Sequence, residues 1–207
     1  ARFGTVDNFV EPFFGSGAIL LSCPHPGHTE TVNDADGLLA NFWRATQHAP
    51  EEVASFADWP VNEADLHARH RWLVDRAEFR AKMRSDPEHF DAKIAGWWVW
   101  GLCAWTGRGW CGEGVGWKQL PALGAGGACV PQPGKGVIHP AVRSRILDVF
   151  AAIAERLRYT RVACGDFERV LSDSVTWRHG TTAILLDPEY PAGAQVYAES
   201  SCSKGDE

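Results

Sequence analysis

The stretch Phe9-Val10-Glu11-Pro12-Phe13-Phe14-Gly15-Ser16-Gly17-Ala18 decides the fold. It reads as a short buried strand running into a glycine turn and then a helix. Gly15 and Gly17 let the backbone turn sharply and approach a ligand without a Cβ in the way. The helix that follows is expected to offer free N–H groups to a polar ligand. A second stretch, Ile184-Leu185-Leu186-Asp187-Pro188-Glu189-Tyr190, is again apolar and ends in an acid, a proline and an aromatic ring. Ligands of open α/β sheets sit at the carboxyl ends of strands, so the two ends are expected to share one crevice. A lone F-x-G-x-G is as often structural as functional. The pair, in this order, is far more specific.

Glu11-Pro12-Phe13-Phe14-Gly15-Ser16-Gly17 resembles the cofactor motif of Dam-like (DPPY-type) N6-adenine-specific DNA methyltransferases. Asp187-Pro188-Glu189-Tyr190 resembles their catalytic Asp-Pro-Pro-Tyr, with Glu189 in place of the second proline. The likeness also touches Val32-Asn33-Asp34 and Gly165-Asp166-Phe167, so it spans most of the chain. It implies an α/β fold: a Rossmann-like, S-adenosylmethionine-dependent methyltransferase sheet, partial here at about four strands, with a helical insertion. It implies S-adenosylmethionine as methyl donor and adenine in double-stranded DNA as target. In the family pattern Glu11, Pro12, Phe13, Gly15, Ser16 and Gly17 form the cofactor crevice, and Asp34 lies near the ribose. Asp166 and Phe167 hold the cofactor's adenine. The Asp187 carboxylate and the Pro188 carbonyl accept the two N–H bonds of the target amine, and Tyr190 stacks on the flipped base. No metal is required. Glu189 is a departure that adds backbone freedom and a second negative charge beside Asp187, and like charges raise a carboxyl pKa. The family also carries a glycine-lysine element before the cofactor motif and three more strands after the catalytic one. Here the chain opens on Ala1, and 17 residues follow Tyr190, so a protein incomplete at both ends is expected.

Composition sets the frame. The chain has 207 residues, 45% hydrophobic and 22% charged, enough for one sizeable soluble domain. No apolar run approaches the ~20 residues of a membrane span, and no signal-peptide pattern is present. The six cysteines (Cys23, Cys103, Cys111, Cys129, Cys164, Cys202) form no C-x-x-C pair, so zinc is disfavoured. They read as reduced thiols in a cytoplasm. Net charge is −6, mildly against a nucleic-acid partner. Between His67 and Arg84, however, Arg69, Arg71, Arg76, Arg80, Lys82 and Arg84 face only Asp75 and Glu78. That is a local basic face, which serves equally as a DNA surface or as a solvated helix.

Along the chain, Asn8 to Glu11 is the expected first strand. Ala18 to Leu21 starts a short helix stopped by Pro24 and Pro26. Glu30 to Asn33 is the second strand, followed by a helix from Asp36 with Leu38, Leu39, Phe42 and Trp43 at helical spacing. Asp36 caps that helix. Asp34, just past the strand, holds the position of a ribose-gripping acid. Pro50 opens a third helix that ends at Trp59-Pro60. Asn62 caps a long helix to about Arg84, and Asp86-Pro87-Glu88 starts another to about Trp105. Trp97, Trp98, Trp100, Trp105, Trp110 and Trp117 then crowd together. Most read as core; Trp110 is a candidate for base stacking. Residues 106–139 read as a long, mobile Gly/Pro-rich loop. Arg76, Arg80, Arg108, Trp110 and Lys118 are the candidate DNA contacts. Pro140 to Leu157 is an amphipathic helix with Val142, Ile146, Val149, Phe150 and Ile153 on one side. Arg161 to Cys164 is the third strand and Thr182 to Leu186 the fourth.

This divides the chain into 1–49, the cofactor-binding part; 50–139, an inserted helical and loop region for target recognition; 140–190, the remainder of the catalytic sheet; and 191–207, a polar tail expected to be poorly ordered. The reading that leads is an adenine-specific DNA methyltransferase of phage or bacterial style. An RNA or protein amide methyltransferase keeps the fold and changes the target. A non-catalytic or fragmentary binding module keeps the fold and loses turnover. A nicotinamide oxidoreductase fits less well, because its fingerprint asks for a third glycine where Leu20 stands.

Overall fold

The computed structural model describes residues 5–22, 28–105, 110–111 and 136–188. Four parallel strands form one sheet in the order β3-β2-β1-β4. They are β1 (Asn8–Glu11), β2 (Thr29–Asp34), β3 (Thr160–Cys164) and β4 (Thr182–Ile184). Burial on both faces makes β1 the centre: Phe9 and Val10 are buried, and so are its polar ends Asn8 and Glu11. Glu11 stands beside Val32 of β2, and Val10 beside Ile184 of β4. The chain steps outward from β1 through β2 to β3, then returns to the other flank of β1 as β4. The order of connection therefore reverses between β1 and β4, and a parallel sheet opens a crevice at such a point. This parallel α/β arrangement agrees with the Rossmann-like sheet expected from the motifs. β4 is shorter than expected, although the Leu185 N–H still donates to the Val10 carbonyl at 2.9 Å.

The helices are α1 (Ala18–Leu21), α2 (Gly37–His48), α3 (Pro50–Ala57), α4 (Glu63–Val74), α5 (Ala77–Ser85), α6 (Ala92–Ala104), α7 (Pro140–Arg143) and α8 (Ile146–Leu157). Asp36 caps α2 as expected, its Oδ1 accepting from the Leu38 N–H at 2.8 Å. Three helices differ from expectation. The long helix to Arg84 is two, α4 and α5, broken at Asp75 and Arg76. The Arg80 side chain reaches back to the Val74 carbonyl at 3.5 Å, near the end of α4. α6 begins at Ala92 rather than near Asp86, because Asp91 caps it through the Ile94 N–H at 2.8 Å. The helix from Pro140 breaks at Ser144 and Arg145 into α7 and α8, while its apolar side still faces inward.

One apolar core joins the sheet to the helical layer, with Val32, Leu38, Leu73, Trp100, Phe150 and Leu157 fully buried in it. The helices of region 50–105 pack on α2 and α8 and share this core. α3 and α6 approach closely at Gly96, where a Cβ would fall 2.7 Å from the Val53 carbonyl oxygen. Buried charges fasten α8 and α2 to the sheet. Glu30, 2% exposed, accepts from Arg156 at 2.8 and 3.0 Å and from the Thr160 hydroxyl at 2.9 Å. The Arg44 guanidinium of α2 donates to the Val162 carbonyl of β3 at 2.9 Å and to the carbonyls of Met83, Asp86 and His89.

Candidate active site

The glycine turn is fixed from four sides. The Phe14 N–H donates to the Asn33 carbonyl at 2.9 Å, and the Gly17 N–H to the Phe14 carbonyl at 2.9 Å. The Gly15 N–H donates to Asp34 Oδ2 at 3.0 Å, and Trp43 Nε1 donates to the Gly15 carbonyl at 3.1 Å. Both glycines have positive φ, +50° at Gly15 and +65° at Gly17, a region that side chains with a Cβ rarely enter. They differ in surroundings. A Cβ on Gly15 would meet nothing within 4 Å, whereas one on Gly17 would lie 2.8 Å from the Phe14 ring. Gly15 thus presents bare backbone to an open space. α1 spans four residues, so the free N–H array expected of a longer helix is short here.

That open space is a cavity of about 650 Å³ at the carboxyl ends of the strands. It gathers residues from both sequence motifs: Pro12, Phe13 and Gly15 from the first, Asp187 and Pro188 from the second. Asp34, Asp36 and Phe167 complete much of the wall. The Phe13 and Phe167 rings lie 5.2 Å apart. Glu11 lies buried at the end of β1, 4% exposed, with Oε2 lacking a hydrogen-bond partner. Burial, reinforced by the Asp187 carboxylate, pushes its carboxyl up to about 7. Burial also pushes the Asp36 carboxyl up. Among the described residues, the carboxylates of Asp34, Asp36 and Asp187 line the cavity against one guanidinium, that of Arg84. Such a field favours a cationic ligand over a pyrophosphate.

The remaining expected residues stand around this cavity in other ways. Gly17 caps α1, and Ser16 lies in the turn; neither lines the wall. Asp166 is outside the wall as well, its Oδ1 accepting from the Glu168 N–H at 2.9 Å to cap a short 3-10 turn, Phe167–Val170. Glu189 and Tyr190 lie outside the described residues. Sequence reasoning missed Arg84 and Leu39 as lining groups, and gave Asn33 no role. Asn33, 1% exposed, donates to the carbonyls of Pro12 at 3.1 Å and Gly165 at 3.0 Å, so one amide ties the ends of three strands together. A buried asparagine before the acid of a strand end was the available signal.

The candidate DNA contacts among the described residues, Arg76, Arg80 and Trp110, are not brought onto one surface. Arg80 is a correction to the basic-face reading: it is 9% exposed, and its Nη2 donates to the Cys111 carbonyl at 2.7 Å. Trp110 is a second correction: it is 8% exposed, with Nε1 donating to the Trp98 carbonyl at 2.9 Å. It packs against Trp105 and His70 rather than offering a free ring face. Arg76 is half-buried, its guanidinium 3.8 Å from the Trp72 ring centre. Arg69 is buried too. Arg108, Lys118 and most of loop 106–139 lie outside the described residues. His70 and Cys111 meet at 3.6 Å, but burial pushes the thiol up to about 12 and the imidazole down, so the pair is neutral. Among the described residues no cluster of His, Cys, Asp or Glu is placed to hold a metal ion, and no helix is long and apolar enough to cross a membrane.

Residues 2–92 match the family model of the D12 class N6 adenine-specific DNA methyltransferases. The matched span contains β1, the glycine turn and Asp34, and ends at the first residue of α6. Over that span the match agrees with the resemblance drawn from the motifs. No curated protein matches the chain.

Proposed function

We propose that this protein transfers a methyl group from S-adenosylmethionine to the N6 amine of adenine in DNA. One observation carries the reading: a single cavity at the reversal point of the sheet is lined by the ends of both motifs, which lie about 170 residues apart. The residues present fit the cofactor. Gly15 leaves room for close backbone approach, Phe13 and Phe167 offer ring surface for an adenine, and Asp34 and Asp36 offer acceptors for ribose hydroxyls. The acidic lining suits a sulfonium cation. When bound, the cofactor supplies an electrophilic methyl group.

The chain's own part is positioning and polarisation. The adenine amine is a poor nucleophile because its lone pair is delocalised into the ring. An acceptor at one N–H returns lone-pair density to nitrogen. The Asp187 carboxylate, at the end of β4, is that acceptor, and the Pro188 carbonyl is the second. The proton lost from the amine passes to Asp187 or to solvent. Glu11 beneath it keeps the local field negative once it ionises, which also holds the cationic donor in place. Fixed geometry of this kind supplies much of the rate, and a misplacement near 1 Å costs about a hundredfold.

Glu189 favours a second reading, a methyltransferase-fold module that binds without turnover. One experiment separates the two: tritium transfer from labelled cofactor to unmethylated DNA, followed by nucleoside analysis. The enzyme reading expects N6-methyladenine from the wild type, loss of it in Asp187→Ala, and a gain in Glu189→Pro, where proline would fix φ near −65° and remove a charge. Cofactor binding without transfer in both wild type and Glu189→Pro supports the second reading. Label on RNA or protein keeps the fold and overturns the target.

A further inference from the structure

A second cavity, about 570 Å³, lies between α3, α4 and α6 and shares no lining residue with the site at the sheet. Its walls are mainly indole: Trp59, Trp72 and Trp97, of which Trp59 is 45% exposed. Two cations are set into these walls. The Arg69 guanidinium, in a side chain 6% exposed, lies 5.0, 4.8 and 4.3 Å from the ring centres of Trp59, Trp97 and Trp100. The Lys93 ammonium lies 5.2 and 4.5 Å from those of Trp72 and Trp97. Among the described residues neither cation has a carboxylate at ion-pair distance, and Arg69 Nη1 is buried without a hydrogen-bond partner. Asp65 also lines the cavity, where its Oδ2 is held by Trp59 Nε1 and Asn62 Nδ2, both donating at 2.6 Å.

This chemistry selects a ligand class. Cation–π contacts already satisfy the rings with positive charge, so a cationic guest such as a methylated amine is repelled. Two cations against the one lining carboxylate of Asp65 leave the cavity with an excess of positive charge, and what it offers is flat aromatic surface. A guest with a planar ring and an anionic group answers both. The volume lies within the range of small-molecule sites. Aromatic platforms beside lysine and arginine are how proteins hold unpaired bases without reading their sequence.

We propose that this tryptophan-walled cavity binds an unpaired nucleotide of DNA, its base against the exposed Trp59 indole and its phosphate toward Lys93 and Arg69. DNA is the source favoured by the reaction proposed above, and the site is a holding point separate from the reacting centre.

The test is fluorescence anisotropy of the full chain with labelled oligothymidylate, without cofactor. The probe contains no adenine, so the outcome is independent of methyl transfer. The expected result is binding that weakens about tenfold in Trp59→Ala and in Lys93→Ala, with a shallower salt dependence in Lys93→Ala. Trp59→Phe, which keeps a stacking face, is expected to stay within about threefold of wild type. Oligothymidylate binding unchanged in both alanine variants overturns the proposal. Equal loss in Trp59→Phe and Trp59→Ala overturns it too, because the ring face would then be irrelevant. Tighter binding of thymidine monophosphate than of the oligomer assigns the cavity to free nucleotides, and preference for oligouridylate assigns it to RNA; either result overturns the DNA assignment.

Discussion

Replacing Glu11 by glutamine tests the electrostatics of the cavity without removing a side chain. Glu11 is 4% exposed, and burial followed by the Asp187 carboxylate raises its carboxyl from 4.5 to about 7. Between those values the folded chain keeps a proton that the unfolded chain has released. Stability therefore falls as pH rises through this window and levels off above about 7. At 1.36 kcal/mol per unit, the wild type loses up to about 3 kcal/mol across it. Glu11→Gln cannot ionise, so this loss disappears. In a chain of this size 1 kcal/mol moves Tm by roughly 2–4 °C. The Tm difference, variant minus wild type, is expected to grow by about 6–12 °C between pH 4.5 and pH 8. The amide adds a donor of its own, which shifts both ends equally, so the change with pH is the readout. Thermal unfolding followed by circular dichroism across this range measures it. Asp187→Asn, which removes the second cause, should narrow the window from its upper end. Melting curves of Glu11→Gln and wild type that run parallel with pH would refute the buried, Asp187-coupled carboxyl.

The glycine turn gives a graded prediction. Gly15→Ala carries only the strain of φ +50° and should cost about 1–2 kcal/mol in urea unfolding, whereas Gly17→Ala must also displace the Phe14 ring and should cost distinctly more; equal losses would count against the turn geometry. Arg156→Ala removes the bidentate guanidinium from buried Glu30, leaving it His28 and the Thr160 hydroxyl, and should destabilise by about 3 kcal/mol, less when Glu30→Gln is combined with it; additive losses in the double variant would contradict a direct pair. The Cys111 thiol, buried and pushed up to about 12, should resist alkylation at pH 8 until the protein is unfolded, as read by mass spectrometry of its peptide. Rapid native-state labelling would place Cys111 nearer the surface.

The sheet end of the molecule was legible because its determinants are short in sequence. An apolar run, two glycines and an acid past the next strand are all backbone-level constraints, and they produced β1, the turn, β2 and the Asp36 cap at their expected places. Helix ends in region 50–105 were not legible, because distant partners decide them. The start of α6 is set by Asn41 of α2, whose side chain exchanges two hydrogen bonds with the Asp91 backbone at 2.8 and 3.0 Å. Nothing between Asp86 and Ala92 announces a partner fifty positions earlier. Asp86-Pro87-Glu88 has the composition of a helix start, and local composition alone favours it.

Arginines and tryptophans mislead a sequence reading for a related reason. A run of six cations reads as one charged face, since charge is counted along the chain and burial is not. Here the run is divided by the α4–α5 break, and its members turn to different tasks. Arg69 stacks among tryptophans, Arg76 covers Trp72, and Arg80 bonds the Cys111 and Val74 carbonyls. Guanidinium is weakly hydrated and planar, so an indole face or a set of carbonyls compensates its burial where an ammonium would resist it. The abundance of tryptophan in this chain therefore predicts where its arginines go. An arginine one helical turn from a tryptophan is a candidate for the interior, so a run of cations interleaved with tryptophans does not by itself make a charged outer face.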